Sequence, residues 1–225
     1  NYFKFFLSAL IVIPVLLLLI LQPDIGQTLL ISSVWLSLIF VSGINIYIFN
    51  FLIIFSFFII EYLIFYLPKF FYVKSRISAF FDTTLKGNYQ SQKATDAIVD
   101  GGFFGKGIGE GTLNTRVPEA HTDYVISVIS EEFGILFILF ILALFLLLVF
   151  RVFKKIPFEQ NNCNKLILIG SILLIIFQVL IHIGVNIRFL PTTGMTLPFL
   201  SYGGSSILSS SILAGLILNF TKRKI

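Results

Sequence analysis

Apolar residues in this chain do not alternate at strand or amphipathic-helix spacing; they run on. Six stretches are nearly unbroken, at about residues 5–21, 28–41, 44–67, 124–150, 166–187 and 205–220. A spanning helix needs roughly 20 consecutive apolar residues, and a helix apolar on every side has no face to offer water. Each stretch is therefore predicted to be a transmembrane helix, the second and sixth short enough to borrow flanking Gly, Ser and Thr. Pro14 falls midway along the first, where it removes a backbone hydrogen bond and predicts a kink. The expected fold class is an all-α membrane protein, a polytopic helical bundle forming a single transmembrane domain over residues 1–225. A long loop, residues 68–122, divides the helices three and three.

Charge sets the orientation. Arg151, Lys154, Lys155 and Lys165 lie between the fourth and fifth stretches, and Lys222, Arg223 and Lys224 follow the sixth. Two crossings separate these groups, so they share a side, and the positive-inside rule makes it cytoplasmic. Residues 22–27, 68–122 and 188–204 are then expected outside. The 68–122 loop carries seven Lys and Arg, but long loops translocate largely regardless of charge. Within it, Phe70, Phe71, Tyr72, Ile77, Phe80 and Phe81 interleave with Lys69, Lys74 and Arg76, the pattern of a helix lying in the headgroup layer. Residues 91–99 predict a second short helix.

Composition confirms the class: 57% of residues are hydrophobic, 12% charged, and the mean hydropathy is +0.98, far from soluble usage. The net charge of +5 is spent on orientation rather than on a nucleic-acid partner. One cysteine, Cys163, excludes a disulfide framework and a cysteine metal site. The chain begins at Asn1 and runs almost at once into an apolar stretch, so upstream sequence is expected.

The polar residues that remain cluster. In VPEAHTDYVISVISEEFG, residues 117–134, Asp123 stands where a polar, proline-interrupted run meets the longest apolar stretch. At 3.6 residues per turn Asp123, Ser127, Ser130 and Gly134 share a helix face, flanked by Glu131, and predict a polar stripe descending into the membrane. Intramembrane acids are costly unless paired or used. Upstream, GGFFGKGIGEG at residues 101–111 lacks the Gly-Lys-Ser/Thr of a phosphate-binding loop, so no nucleotide site is expected. Its Gly105, Gly107 and Gly109 permit tight turns and close backbone approach, and Lys106 is either solvated or a phosphate partner. On the fifth stretch Ser171, Gln178, His182 and Asn186 fall on one face, as interhelical hydrogen-bonding groups or cavity contacts. Arg188 stands at the interface, where it snorkels or meets a lipid phosphate. PTTGMTLPFLSYGGSS at residues 191–206 ends on Gly203, Gly204 and Ser205 at a helix start, which is either a close-packing device or an anion site. Asp24 in QPDIG is a second boundary acid or the N-cap of the second helix. Glu61 lies toward the outer end of the third stretch.

Four of these segments together, QPDIG, FGKGIGEG, PEAHTDYVISVISEEFG and LPTTGMTLPFLSYGGSS, resemble the signatures of the SEDS family, the FtsW and RodA proteins of bacterial cell-wall synthesis. They occur in order and cover nearly the whole chain, and PEAHTD with LPTTGMTLPFLSYGG is more like the FtsW branch. Members have ten spans; this chain resembles the last six, so about four N-terminal spans are expected to be missing. The resemblance implies a peptidoglycan glycosyltransferase of the bacterial cytoplasmic (inner) membrane that polymerises lipid II on the outer face during cell division. It implies as partners lipid II and undecaprenyl-pyrophosphate-linked glycan, a class B penicillin-binding protein transpeptidase and other divisome proteins. It makes Asp123 the catalytic residue and Asp24 a second acid near the cavity. His182 and Arg188 depart from the pattern, many members having Asn and Gly or Ala there.

The residues accommodate that chemistry. The 4-hydroxyl of one sugar displaces undecaprenyl pyrophosphate from the anomeric carbon of another with inversion, and a carboxylate in a partly apolar site serves as base. The candidates to hold substrate and leaving group are Arg76, Lys106, Arg116, Glu119, His121, Thr193, Ser201, Gly203, Gly204 and Ser205, besides Asp24. A divalent cation, Mg2+ or Mn2+, would fit beside Asp123 and His121, although the spacing forms no recognised metal motif. Two rival classes remain open: a lipid II flippase or other transporter, and a non-catalytic divisome scaffold. Transporters gather ionisable residues near the bilayer midplane, whereas here the acids lie at one boundary.

Overall fold

The computed structural model of the chain describes residues 3–66, 70–81, 89–117 and 119–222. Lys69, Pro118, Arg223 and Lys224, which enter the sequence reading, lie outside them. Eleven α-helices and one 3-10 turn account for the regular structure among the described residues. The sequence reading treats the chain as one domain; its packing falls into two compact units, Asn1–Thr83 and Thr84–Ile225.

In the first unit, α1 (Phe3–Leu21) pairs with α2 (Ile25–Val41), helped by Trp35 Nε1 donating to Ser8 Oγ at 3.4 Å. Pro14 lies inside α1 as expected. Asp24 takes the N-cap reading: its Oδ1 accepts the Gln27 amide at 3.0 Å, and Thr28 Oγ1 donates to its carbonyl at 2.6 Å. That satisfies one of the four amides a helix start leaves open. Then come α3 (Ile46–Tyr66), on which Glu61 is exposed, and α4 (Phe71–Phe81), the helix expected from the aromatic and basic interleaving. Lys74 lies over the Phe65 ring at 5.6 Å and joins α4 to α3.

The second unit opens with α5 (Tyr89–Gly101), and two single-turn helices, α6 (Leu113–Arg116) and α7 (Ala120–Asp123), follow the glycine-rich loop. After them come α8 (Val125–Phe133), α9 (Ile135–Lys155), α10 (Asn162–Asn186) and α11 (Gly204–Thr221). One core joins Val125 and Ile126 of α8 to Ile138 and Val152 of α9, Leu168, Ile172, Ile175 and Val179 of α10, and Ile217 of α11. A second joins Ala94 and Ala97 of α5, Leu113, Val117, Ala120 and Tyr124 to Val185, near the end of α10. Helix α10 thus runs from one core into the other.

Among the described residues, four helices are long and apolar enough to cross a membrane: Phe3–Leu21, Ile135–Phe158, Asn162–Asn186 and Gly204–Thr221; α2 and the apolar part of α3, Ile46–Ile59, are shorter. The expected fourth span is corrected. Residues 124–150 do not form one helix, because Gly134 takes φ 83° and ψ 172° and separates α8 from α9. No continuous polar stripe therefore descends from Asp123. Ser127 and Ser130 are buried within the protein on α8, and the long apolar helix starts only at Ile135.

The glycine-rich loop makes this break tolerable. Broken backbone at membrane depth must find partners inside the protein. The amides of Lys106 and Gly107 donate to the last carbonyls of α8, those of Glu131 (2.8 Å) and Glu132 (3.1 Å). The first amides of α9, Ile135 and Leu136, donate to the carbonyls of Gly102 (2.9 Å) and Phe103 (3.5 Å). The loop splices the two helices. It must lie against their backbone to do so: a Cβ on Gly105 would collide with the Glu132 carbonyl, and one on Gly134 with that of Phe103.

Candidate active site

Asp123 closes α7, and three bonds from distant segments fix its turn. The Asn186 carboxamide at the end of α10 donates to the Asp123 carbonyl at 3.1 Å. Ser201 Oγ donates to the Thr122 carbonyl at 2.7 Å while accepting the Leu197 amide at 2.8 Å. The Tyr202 amide donates to the His121 carbonyl at 3.2 Å. Asn186 and Ser201 are buried, so their polar groups would be costly to leave unpaired. The Asp123 side chain, by contrast, is only partly buried.

The segment facing Asp123 is the turn at residues 191–203. Gly194, at φ 70°, presents its open side to the carboxylate, and a Cβ there would lie 3.7 Å from Asp123 Oδ2. Thr193 Oγ1, beside it, is buried without a hydrogen-bond partner. The turn is pinned to α10 twice: Gln178 Nε2 donates to the Thr196 carbonyl at 2.9 Å, and His182 Nδ1 bonds the Met195 carbonyl at 2.7 Å. Thr196 Oγ1 continues to Ser206 Oγ at 2.9 Å, tying the turn to the first residues of α11. At the rim, the exposed His121 ring meets Tyr202 edge-on at 6.3 Å. Helix α11 begins two residues beyond Tyr202, with Gly203 as a cap that offers no side chain.

The structure thus sets Asp123 against Gly194 with Thr193 beside that glycine, bonds Ser201 to the Thr122 carbonyl and sets His121 against Tyr202, with Gly203, Gly204 and Ser205 following at the start of α11. Arg116, at the end of α6, and Glu119, at the start of α7, are exposed on the approach to Asp123. Lys106 goes elsewhere. Its ammonium pairs with Glu131 (3.1 Å) and Asp100 (3.2 Å), and Glu131 stands eight residues along from Asp123, about 12 Å at helical rise. Asp24 and Arg76 belong to the first unit, Asp24 as the cap described above.

Glu131 is a structural acid. Thr112 donates its amide (3.0 Å) and hydroxyl (3.1 Å) to Oε1, and the Leu113 amide donates to Oε2 at 3.0 Å. It stands in α8, outside the long apolar helices. Burial pushes its carboxyl up, but the amides of Thr112 and Leu113, with Lys106, outweigh burial and hold it below the ordinary 4.5. Lys106 is raised above 10.5 in turn, chiefly by its hydrogen bond to Glu131.

Among the described residues no three His, Cys, Asp or Glu side chains gather closely enough to hold a metal ion. Asp123 and His121, the two residues expected beside a divalent cation, lie at the end of α7. Asn186, expected as an interhelical hydrogen-bonding group or a cavity contact on one face with His182 and Gln178, bonds α7 and α8; that pattern does not say which backbone it would hold.

Long, continuously apolar helices of this kind are the mark of an integral membrane protein. The family model described as cell cycle protein, covering FtsW, RodA and SpoVE, matches residues 1–224, and the chain belongs to that family. It is 34% identical over 213 residues to a probable peptidoglycan glycosyltransferase FtsW of Caulobacter vibrioides, covering 92% of this chain and 52% of that protein. It is 38% identical over 225 residues to the protein of the same description from Buchnera aphidicola, covering 94% and 57%. A solved structure of a peptidoglycan synthase complex, concerned with coordination of polymerization and crosslinking, contains a chain that superposes with a TM-score of 0.73 at 27% identity, over 96% of this chain and 62% of that one. The chain thus spans about half the length of the curated relatives it matches.

Proposed function

We propose that the protein carrying this chain is an inverting peptidoglycan glycosyltransferase that polymerises lipid II on the outer face of the bacterial cytoplasmic membrane, with Asp123 as its base. The observation that carries the reading is the placement of Asp123: a partly exposed carboxylate on a turn whose backbone is locked by buried bonds from α10 and from the 191–203 turn. Such a group can meet a substrate hydroxyl without the scaffold moving, the preorganisation acid–base catalysis needs.

In the step proposed, Asp123 accepts the proton of the 4-hydroxyl of the acceptor sugar as its oxygen bonds to the anomeric carbon of the donor. The bond from that carbon to the phosphate oxygen breaks, and undecaprenyl pyrophosphate leaves with the electron pair. Its charge needs oriented donors, for which the amides at the start of α11 and the Arg116 guanidinium are the candidates. Thr193 and Ser205 hydroxyls would orient the sugars. Lys106 enters the proposal as a support of the loop rather than a phosphate ligand, since two carboxylates already hold it.

The outer placement is supported by charge. Lys154 and Lys155 close α9, Lys165 lies in the first turn of α10 and Lys222 follows α11, all at the helix ends remote from Asn186 and Asp123. A class B penicillin-binding protein transpeptidase is the proposed partner, in keeping with the synthase complex whose chain this one resembles.

The test is synthesis of glycan from lipid II by the full-length protein and its transpeptidase partner in proteoliposomes. Asp123→Asn should lower polymerisation by at least about a hundredfold, the contribution of a positioned general base, without changing the thermal midpoint. Glycan chains made by that variant at the native rate would defeat the assignment. Translocation of lipid II without polymer would point to the flippase reading instead.

A further inference from the structure

Between α7 and α8 the backbone leaves the helix at Tyr124, where φ is −121° and ψ is 27°. In an unbroken helix the carbonyl of residue 123 would accept the amide of residue 127. Here the carboxamide of Asn186 stands between those two groups. Its Nδ2 donates to the Asp123 carbonyl at 3.1 Å, and its Oδ1 accepts the Ser127 amide at 3.3 Å. A side-chain amide has thus been inserted into one helical hydrogen bond, taking the part of each missing partner. The remaining capacity of the group is used as well. Nδ2 also donates to the His182 carbonyl at 2.8 Å, and Oδ1 also accepts Ser127 Oγ at 2.7 Å. With two carbonyls on one side and two donors on the other, only one orientation of the carboxamide satisfies all four. Asn186 is fully buried, and its bonds to Ser127 and His182 are buried with it.

The break it maintains falls directly after the residue assigned as base. Closing it would carry Tyr124 ψ from 27° to about −42°, a swing of about 70° that would merge α7 with α8 and turn the Asp123 side chain away from Gly194. The amide at residue 127 and the carbonyl at residue 123 would gain each other by closing, so without Asn186 the local hydrogen bonding favours closure. Ser201 and Tyr202 bear on it through Thr122 and His121, two and three residues before the pivot.

We propose that Asn186 is a positioning residue for the reaction at Asp123, holding the helix open so that the carboxylate faces the 191–203 turn. The inference rests on the reading of Asp123 as base. The experiment uses the full-length protein with its transpeptidase partner in proteoliposomes, with lipid II as substrate. It compares Asn186→Ala, which removes the carboxamide, and Asn186→Leu, which fills its volume without hydrogen bonds, and it runs Asp123→Asn in parallel. Both Asn186 variants should lose kcat by tenfold or more while KM for lipid II stays within twofold, because substrate contacts remain and only the base is misplaced. A packing role would instead be rescued by the Leu variant, or would move KM and kcat together. Native kcat in either folded variant overturns the proposal, as does a loss confined to KM. Failure of both variants to fold also overturns it, since Asn186 would then decide folding rather than position. Full activity of Asp123→Asn sinks the base assignment; an inactive Asp123→Asn beside active Asn186 variants sinks only the positioning role.

Discussion

Arg188 stands in a backbone conformation that favours glycine. It follows the C-cap Ile187 at φ 57°, its amide donates to the Val185 carbonyl at 3.1 Å, and the Phe189 amide donates to the Gly184 carbonyl at 2.7 Å. These two bonds around a left-handed residue make the Schellman ending of a helix, a place for glycine. A residue with a Cβ strains there by about 1–2 kcal/mol. Arg188→Gly should therefore stabilise the protein by about 1 kcal/mol, less whatever the freer unfolded chain takes back, and raise the thermal midpoint in detergent. A lower midpoint would mean that the guanidinium contributes more than the backbone strain costs. The sequence reads Arg188 as a cation at the interface, where the resemblance implies Gly or Ala in many members. Without glycine at the position, nothing local advertised the left-handed turn, and the direction in which residues 189 and 190 leave α10 stayed hidden.

At the scale of elements, the α8–α9 break and the loop that splices it depend on the Glu131 cluster. A buried carboxylate accepting two amides, a hydroxyl and an ammonium fixes residues 106, 112 and 113 together. Removing the charge while keeping the shape, Glu131→Gln, should cost on the order of 2 kcal/mol, the range for hydrogen bonds to charged groups. Faster hydrogen exchange at the Lys106 and Gly107 amides would report it, whereas unchanged protection would show that the backbone bonds alone suffice. The pH dependence follows from the shifts. Glu131 is lowered in the folded state, so its contribution is present above its ordinary 4.5 and is lost as pH falls through the lower folded value. Lys106 is raised, so its part is present below 10.5 and lost only as pH rises through the higher folded value. Protection should be flat between those limits. Helix positions were largely legible, since long apolar runs need no partner to be recognised: the fifth stretch, expected at 166–187, is Asn162–Asn186. The break was not. Residues 124–150 read as one run because Gly134 is a single residue among apolar neighbours, and the loop that satisfies its flanks lies some thirty residues upstream. The candidate site was legible at Asp123 and along residues 191–206, where polar groups stand out against an apolar chain. The pairing of Lys106, read as solvated or as a phosphate partner, was not legible because Glu131 is 25 residues away in sequence.

For the molecule as a whole, the proposed chemistry requires the Asp123 opening and the basic helix ends to lie on opposite sides of the membrane. Helix α10 makes this testable, because it carries a reporter at each end. Cys163, the second residue of α10, is exposed, and it is the only cysteine of the chain. Asn186, the last, reaches Asp123. A helix of 25 residues is about 37 Å long at 1.5 Å per residue, enough to cross a hydrocarbon core of about 30 Å. Lys165 near the first end and Lys154 and Lys155 at the neighbouring end of α9 favour the cytoplasmic side by the positive-inside rule. In full-length protein with any other cysteines replaced, an impermeant maleimide should label Cys163 in inside-out vesicles and not in intact spheroplasts. With Cys163 changed to serine, a cysteine at exposed position 202 should label in the reverse pattern. The two sites must exchange accessibility. Labelling of both from one side would mean that α10 does not span, and labelling of Cys163 from outside would place Asp123 in the cytoplasm, where undecaprenyl-linked substrate would have to be polymerised before export. Either result would defeat the proposed glycosyltransferase independently of any activity assay.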